Sequence, residues 1–191
     1  METPDPDLIA EVLAGNAASF EPLVVKYQPR VFATARRYAR RDSEVEDIVQ
    51  EVFIKAYQKL STFRADAPFE HWLMRLATRT CYDFLRKHQR NREWNATDLS
   101  DDENDWLENV GEDNVERESG QAAAKALVDR LLEGLSADFR LVITMLDLEG
   151  KSVKEIAELT EWSESKVKVT AHRAREKMRN MLAKVAPEKY L

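Results

Sequence analysis

The sequence predicts an all-α protein: two small helical domains joined by a flexible acidic linker, the C-terminal domain a helix-turn-helix. Three observations predict it. Apolar residues recur at helical spacing through both halves, with no strand-like alternation competing. Residues 96–120, ATDLSDDENDWLENVGEDNVERESG, have no sustained apolar period and carry ten acidic side chains against one basic, a single-sign charge that resists collapse. A chain of 191 residues, 43% hydrophobic and 34% charged, suits two modest cores on a tether. The expected boundaries are 1–95, 96–120 and 121–191.

In the first half, Asp7 and Asn16 are N-cap candidates, Gly15 is a stop, and Pro29 is expected to open a new segment. The clearest helix is expected to start at the capping box Ser43-Glu44-Val45-Glu46 and to bury Val45, Ile48, Val49, Val52, Phe53, Ala56 and Leu60. Its other face shows Glu44, Asp47, Gln50, Glu51 and Lys55. After a break at 61–68, with Pro68 suited to a first helical turn, a stripe of Phe69, Trp72, Leu73, Leu76, Ala77, Thr80 and Phe84 predicts a helix that ends in basic residues. Beyond the acidic segment, 121–134 and 137–148 read as helices, the second capped by Ser136. A short helix follows the box Ser152-Val153-Lys154-Glu155, and Ser163 caps a longer one running toward Pro187.

The net charge of −6 points to a basic partner until it is divided along the chain. Residues 1–95 carry +1, residues 96–120 carry −9 and residues 121–191 carry +2. Two stretches are strongly basic, 75–92 with six Arg or Lys and 164–184 with seven, an electrostatic footprint that fits nucleic acid. The absence of a long apolar run and the acidic start METPDPDLIAEV give no sign of membrane insertion or of a signal peptide, so a cytoplasmic location is expected. The one cysteine, Cys81, excludes an internal disulfide and reads as a packed thiol. Five glycines argue against glycine-rich nucleotide loops, and His71, His88 and His172 form no metal motif; no metal, cofactor or catalytic set is expected.

Residues 152–179 have the proportions of a helix-turn-helix reader. Ala157 allows close crossing and Trp162 and Val167 fill the angle, so that Ser165, Lys166, Lys168, Val169, His172 and Arg173 project outward. Such a helix fits the major groove, where Arg bridges guanine, Lys meets acceptors or phosphate, and an apolar side chain touches a thymine methyl.

The run LSADFRLVITMLDLEGKSVKEIAELTEWSESKVKVTAHRAREKM resembles region 4 of bacterial sigma factors, especially the extracytoplasmic-function (ECF) branch of the sigma-70 family. Leu135, Arg140, Glu149-Gly150, Ser152, Glu155-Ile156-Ala157, Val167-Lys168 and Arg173-Ala174-Arg175 carry the match. Independently, EDIVQEVFIKAYQKL (46–60) is similar to region 2.2, and FEHWLMRLATRTCYDFLRKHQR (69–90) to regions 2.3 and 2.4. The resemblance implies a non-enzymatic sigma factor that binds core RNA polymerase and directs promoter-specific initiation. It implies polymerase docking by Asp47, Gln50 and Glu51. For the minus-ten element it implies Phe63, Arg64 and Asp66 in a base-capturing loop, with Arg75, Arg79, Arg86, Lys87 and Arg90 at phosphates or base edges. For the minus-thirty-five element it implies Ser165, Lys166, Lys168, Val169, His172, Arg173 and Arg175. An anti-sigma partner, common in that family, is also implied.

Several positions depart from the family pattern. Ser136 replaces Pro, Arg79 replaces a frequent Asn, Glu161 stands where the turn often has Gly, and Lys166, Val169 and Thr170 replace Thr, Ser and Arg. The rival reading is a helix-turn-helix regulator acting without polymerase, which would call for a dimer helix and a palindromic operator.

Overall fold

The computed structural model describes residues 3–39, 41–98 and 120–185, all helix, turn or connecting loop. Contacts divide the chain into two compact units, Met1–Phe84 with Glu158–Glu161, and Leu85–Ala157 with Trp162–Leu191. Most of the acidic segment lies outside the described residues; residues 96–98 close one helix and residue 120 opens the next.

In the first unit, α1 (Asp5–Leu13) starts at Pro4, so Asp7 is not its cap but part of its first turn. Two prolines explain the earlier start: Pro4 and Pro6 have fixed φ and no amide hydrogen to satisfy, which suits a helix beginning. Gly15, at φ +104°, ends this helix region in a conformation that side chains avoid. Asn16 precedes a 3-10 turn at Ala17–Phe20, but its amide donates to the Ser19 hydroxyl at 2.8 Å rather than capping backbone.

Helix α2 (Glu21–Ala35) buries Leu23, Tyr27, Val31 and Ala35, one residue per turn along one face. Pro29 lies inside this helix and does not open a new one. The hydrogen bond it removes would have gone to the carbonyl of Val25, a residue 64% exposed on the solvent side of the helix. Asp5 fastens α1 to α2: it accepts from Lys26 Nζ at 2.6 Å and from the Tyr27 hydroxyl. Burial, then the Asp5 carboxylate, pushes the Tyr27 hydroxyl above its ordinary pKa.

Helix α3 (Asp42–Lys59) is capped by Arg41, so the box expected at Ser43 falls two residues late. Glu44 occupies the third helical position and accepts from the Arg41 amide at 3.3 Å; an Arg side chain has no acceptor to return, so the cap is one-sided. Val45, Ile48, Val49, Val52 and Ala56 are buried as expected, and Leu60 with them in the following 3-10 turn, while Phe53 is only half-buried. Pro68 immediately precedes α4 (Phe69–Asp98), which buries Phe69, Leu73, Leu76, Ala77, Thr80, Cys81 and Leu85; Phe84 is half-buried. Its start is held by Tyr27 against Phe69, with ring centroids 5.5 Å apart, and by an Arg30–Glu70 ion pair.

In the second unit, α5 (Gly120–Glu133) and α6 (Ala137–Ile143) precede a π turn at Thr144–Leu148. Ser136 caps α6, accepting from the Phe139 amide at 3.4 Å. Gly150, at φ +65°, reverses the chain into α7 (Val153–Thr160). Helix α8 (Glu164–Val185) closes a core of Leu131, Leu132, Leu135, Ile143, Ala174 and Met181. Among the described residues no helix is long and apolar enough to cross a membrane.

The expected box at the start of α7 is complete. Glu155 accepts from the Ser152 amide at 2.8 Å, and Ser152 Oγ accepts from the Glu155 amide at 3.2 Å. Ser152→Ala is expected to lower stability by about 1 kcal/mol in urea unfolding, and Ser43→Ala by less than about 0.5 kcal/mol. The Ser152 hydrogen bonds depress the Glu155 carboxyl pKa, so its stabilisation is present above the ordinary carboxylate range and is lost as pH falls through the depressed value. The gap between the Ser152→Ala and wild-type unfolding midpoints should accordingly narrow on acidification through that value without closing, because the bond from the Glu155 amide to Ser152 Oγ does not titrate.

Candidate nucleic-acid interface

The helix-turn-helix is built by burial at one corner and capping at each helix start. Ile156 of α7 and Val167 of α8 are wholly buried, while Val153, Ala157, Leu159 and Trp162 are half-buried. Glu161 takes φ +58° in the turn, the left-handed conformation that explains why glycine is favoured there. Ser163 caps α8 by accepting from the Lys166 amide at 3.2 Å. Trp162 and Val167 stand at the two positions of a hydrophobic staple around that cap.

With Val167, Thr170, Ala171, Ala174 and Met181 buried, the outer face of α8 follows from helical geometry. Ser165, Lys166, Lys168, Val169, His172 and Arg173 are all exposed, as the sequence predicts, and so is Arg175. Thr170 is buried, so whatever replaces Arg at that position does not face outward. At about 100° per residue, Ser165, Arg173 and Glu176 fall within roughly 40° of Val169, the middle of the outer face. Lys166 and Lys177 flank one side at roughly 60–80°, and Lys168, Arg175 and Arg179 the other at roughly 80–120°. The centre is thus weakly charged, with Val169 49% exposed, and both edges are basic.

Three of these cations are already engaged, Lys168 by Glu164 one turn back at 3.6 Å. Arg175 turns back to its own domain, donating through Nε to Asp147 Oδ2 at 3.2 Å and through Nη2 to Oδ1 at 2.5 Å. The ammonium of Lys166 lies 3.6 Å from the centroid of the Trp162 ring. Near a helix N-terminus a cation opposes the macrodipole by about 0.3–1 kcal/mol, and an exposed cation–π contact returns about 0.5–1 kcal/mol. The two nearly cancel.

In the first unit, the loop before α4 presents Arg64 and Asp66 to solvent, with Ala65 between them at φ +58°. Phe63 does not project freely: half-buried, it packs edge-on against Phe69 at 5.6 Å and against Trp72 at 5.7 Å. Arg75, Arg79, Arg86, Lys87 and Arg90 are all exposed on α4. The four arginines fall within an arc of roughly 60°, with Lys87 about 120° from Arg75, so the arginines make one stripe and Lys87 stands apart.

Asp47, Gln50 and Glu51 are exposed together on α3. Lys55 holds Glu51 at 2.8 Å and reaches Thr80 Oγ1 at 3.4 Å and Asp83 at 3.6 Å on α4, tying this face to the arginine-bearing helix. Beside it the structure places an apolar cleft of about 620 Å³ lined by Phe20, Val24, Phe53, Ile54 and Tyr57, with Gln50 and Glu46 at its edge. Sequence reasoning missed it. Ile54 and Tyr57, 48% and 46% exposed, sit off the buried stripe, and the signal was an apolar band on α3 wider than one core requires.

Residues 23–91 match the family model for Sigma-70 region 2, and residues 125–178 that for Sigma-70, region 4. The chain is 35% identical over 180 residues to the ECF RNA polymerase sigma-E factor of Escherichia coli strain K12, covering 92% of this chain and 93% of that one. It is 32% identical over 183 residues to the sigma-E factor of Haemophilus influenzae, covering 93% and 95%. The fold is like that of CnrH in its complex with the cytosolic domain of CnrY, with TM-score 0.55 and 24% identity over 93% of this chain and 96% of that one.

The Asp147–Arg175 pair is partly exposed, with side chains 41% and 53% accessible. A double-mutant cycle with Asp147→Asn and Arg175→Gln should give a coupling of about 0.5–1 kcal/mol that vanishes in molar salt. A coupling that persists at high salt would contradict this reading.

Proposed function

The chain belongs to the ECF sigma factors of RNA polymerase, and on that premise we propose which of its residues do each part of the work. The protein performs no chemistry of its own: it binds core polymerase, recognises the minus-ten element through region 2 and the minus-thirty-five element through region 4, and so directs initiation. Docking falls to Asp47, Gln50 and Glu51, and the neighbouring apolar cleft, with its exposed Ile54 and Tyr57, supports a helix-in-groove contact beside them.

At the minus-ten element the arginine stripe of Arg75, Arg79, Arg86 and Arg90 follows the backbone of the opened strand, and Lys87 meets a phosphate off that line. Arg64 and Asp66 contact the edge of an extruded base while Phe63, braced by Phe69 and Trp72, supplies the apolar wall. At the minus-thirty-five element Ser165, Val169, His172 and Arg173 face base edges; Lys166 and Lys168 face phosphates. Arg175 serves first to fix α8 to the π turn and second to add positive potential. The protein works in the cytoplasm, and an anti-sigma factor covers these same faces.

The observation that carries this assignment is the order of exposed faces on α8: a centre of Ser165 and Val169 with the opposed charges of Arg173 and Glu176, between two basic edges. Each domain binds weakly by itself, and the shared polymerase raises the effective concentration of the second contact once the first is made.

Glu51→Arg is expected to reduce core-polymerase binding at least about tenfold in a pull-down or anisotropy titration, with helical content unchanged. Arg173→Ala should cost about 1–3 kcal/mol in promoter binding and lose discrimination at one base pair. Uniform weakening over all sequences would make Arg173 a phosphate contact.

A further inference from the structure

The cation–π pair at the head of the recognition helix adds little to stability, since the ring only offsets what the helix dipole costs. What it does is hold a flexible lysine in one place. Lys166 has four rotatable side-chain bonds and stands exposed, yet its ammonium sits 3.6 Å over the indole face of Trp162. Trp162 is itself fixed, half-buried in the turn beside the wholly buried Val167. An ammonium so held keeps its outward side open and loses less freedom when a second partner arrives.

Its position selects that partner. Lys166 lies on the flank of the outer face, roughly 60° from Val169, whereas Ser165 and Arg173 lie nearer the centre. In a major groove the centre of a helix faces base edges and its flanks face the sugar-phosphate walls. A lysine is also a point charge without the planar fork that reads guanine in two bonds, and suits a phosphate.

We infer that Trp162 is a positioning residue for Lys166, holding its ammonium at the rim of α8 to clamp a backbone phosphate of the minus-thirty-five element. The inference rests on the sigma-factor assignment above and adds to it a division of labour: the pair raises affinity for any sequence and leaves base preference to the residues between the rims. Lys166 stands where the family pattern named above commonly has Thr, so its contact is read from this chain and not carried over from that pattern.

The test uses full-length protein in holoenzyme with core polymerase, and a duplex promoter that this holoenzyme selects from a randomised library. Lys166→Ala should weaken binding about three- to tenfold on every promoter variant alike and reduce the log–log salt slope by about one. Trp162→Leu should reproduce most of that loss with Lys166 still present, Trp162→Phe should retain binding, and Lys166→Ala with Trp162→Leu should be no weaker than Lys166→Ala alone.

Because Trp162→Leu also changes packing, fluorinated tryptophans placed at position 162 give a second readout: they keep the ring's shape and drain its negative face. Affinity should fall stepwise with fluorine number in the wild-type background and stay level in Lys166→Ala. A base-specific loss in Lys166→Ala, or affinity indifferent to fluorination, overturns the proposal while leaving the sigma-factor assignment standing. Failure of the wild-type holoenzyme to select any promoter overturns both.

Discussion

Every contact that α8 can make with DNA depends on which of its faces is buried. Val167, Ala171, Ala174 and Met181 are each less than about a tenth exposed, and they fix the rotation of the helix about its own axis. A fully buried Val or Met contributes about 1.5–3 kcal/mol, while an exposed ion pair such as Asp147–Arg175 contributes less than about 1 kcal/mol. Packing therefore decides the orientation, and charge is arranged on the face that packing leaves over. A slip of one residue would rotate α8 by about 100° and carry Val169 from the centre of the outer face to its edge.

The same logic runs through the first domain with two outer faces instead of one. Helix α3 buries Val45, Ile48, Val52 and Ala56, and the residues between them, Asp47, Gln50 and Glu51, are forced outward. Helix α4 buries Leu73, Ala77, Thr80 and Cys81 and turns its arginines away from that core. Lys55, bonded to Glu51 on its own helix and near Asp83 on the next, lies between the face assigned to polymerase and the helix assigned to the opened strand. On the proposed assignment, the docking face of α3 and the strand-binding face of α4 are linked directly by Lys55.

Much of this was legible in the sequence because the signals were local. The box from Ser152 to Glu155, the cap at Ser163 and the stripes of α3 and α4 each follow from residues a few positions apart. Errors arose where two local rules competed. At α1 the prolines won over Asp7 as the start; at α3 Glu44 reached back to Arg41 and displaced Ser43; in α2 Pro29 was accommodated inside a helix, its missing bond falling at the exposed residue Val25. Other features were invisible because their partners are distant or off the main stripe. Asp147 meets Arg175 across 28 positions, Phe63 gains its ring neighbours only when α4 folds beside it, and the cleft at Ile54 and Tyr57 needs α2 as its second wall.

Bound to core polymerase, this one protein recognises two DNA elements. The most direct test is transcription in vitro from a randomised promoter library by core RNA polymerase, with and without the full-length protein. Transcripts are expected to appear only when the protein is present, from templates that share two motifs at fixed spacing upstream of the start. No protein-dependent start sites, with the free protein retaining a DNA site of its own, would contradict that recognition.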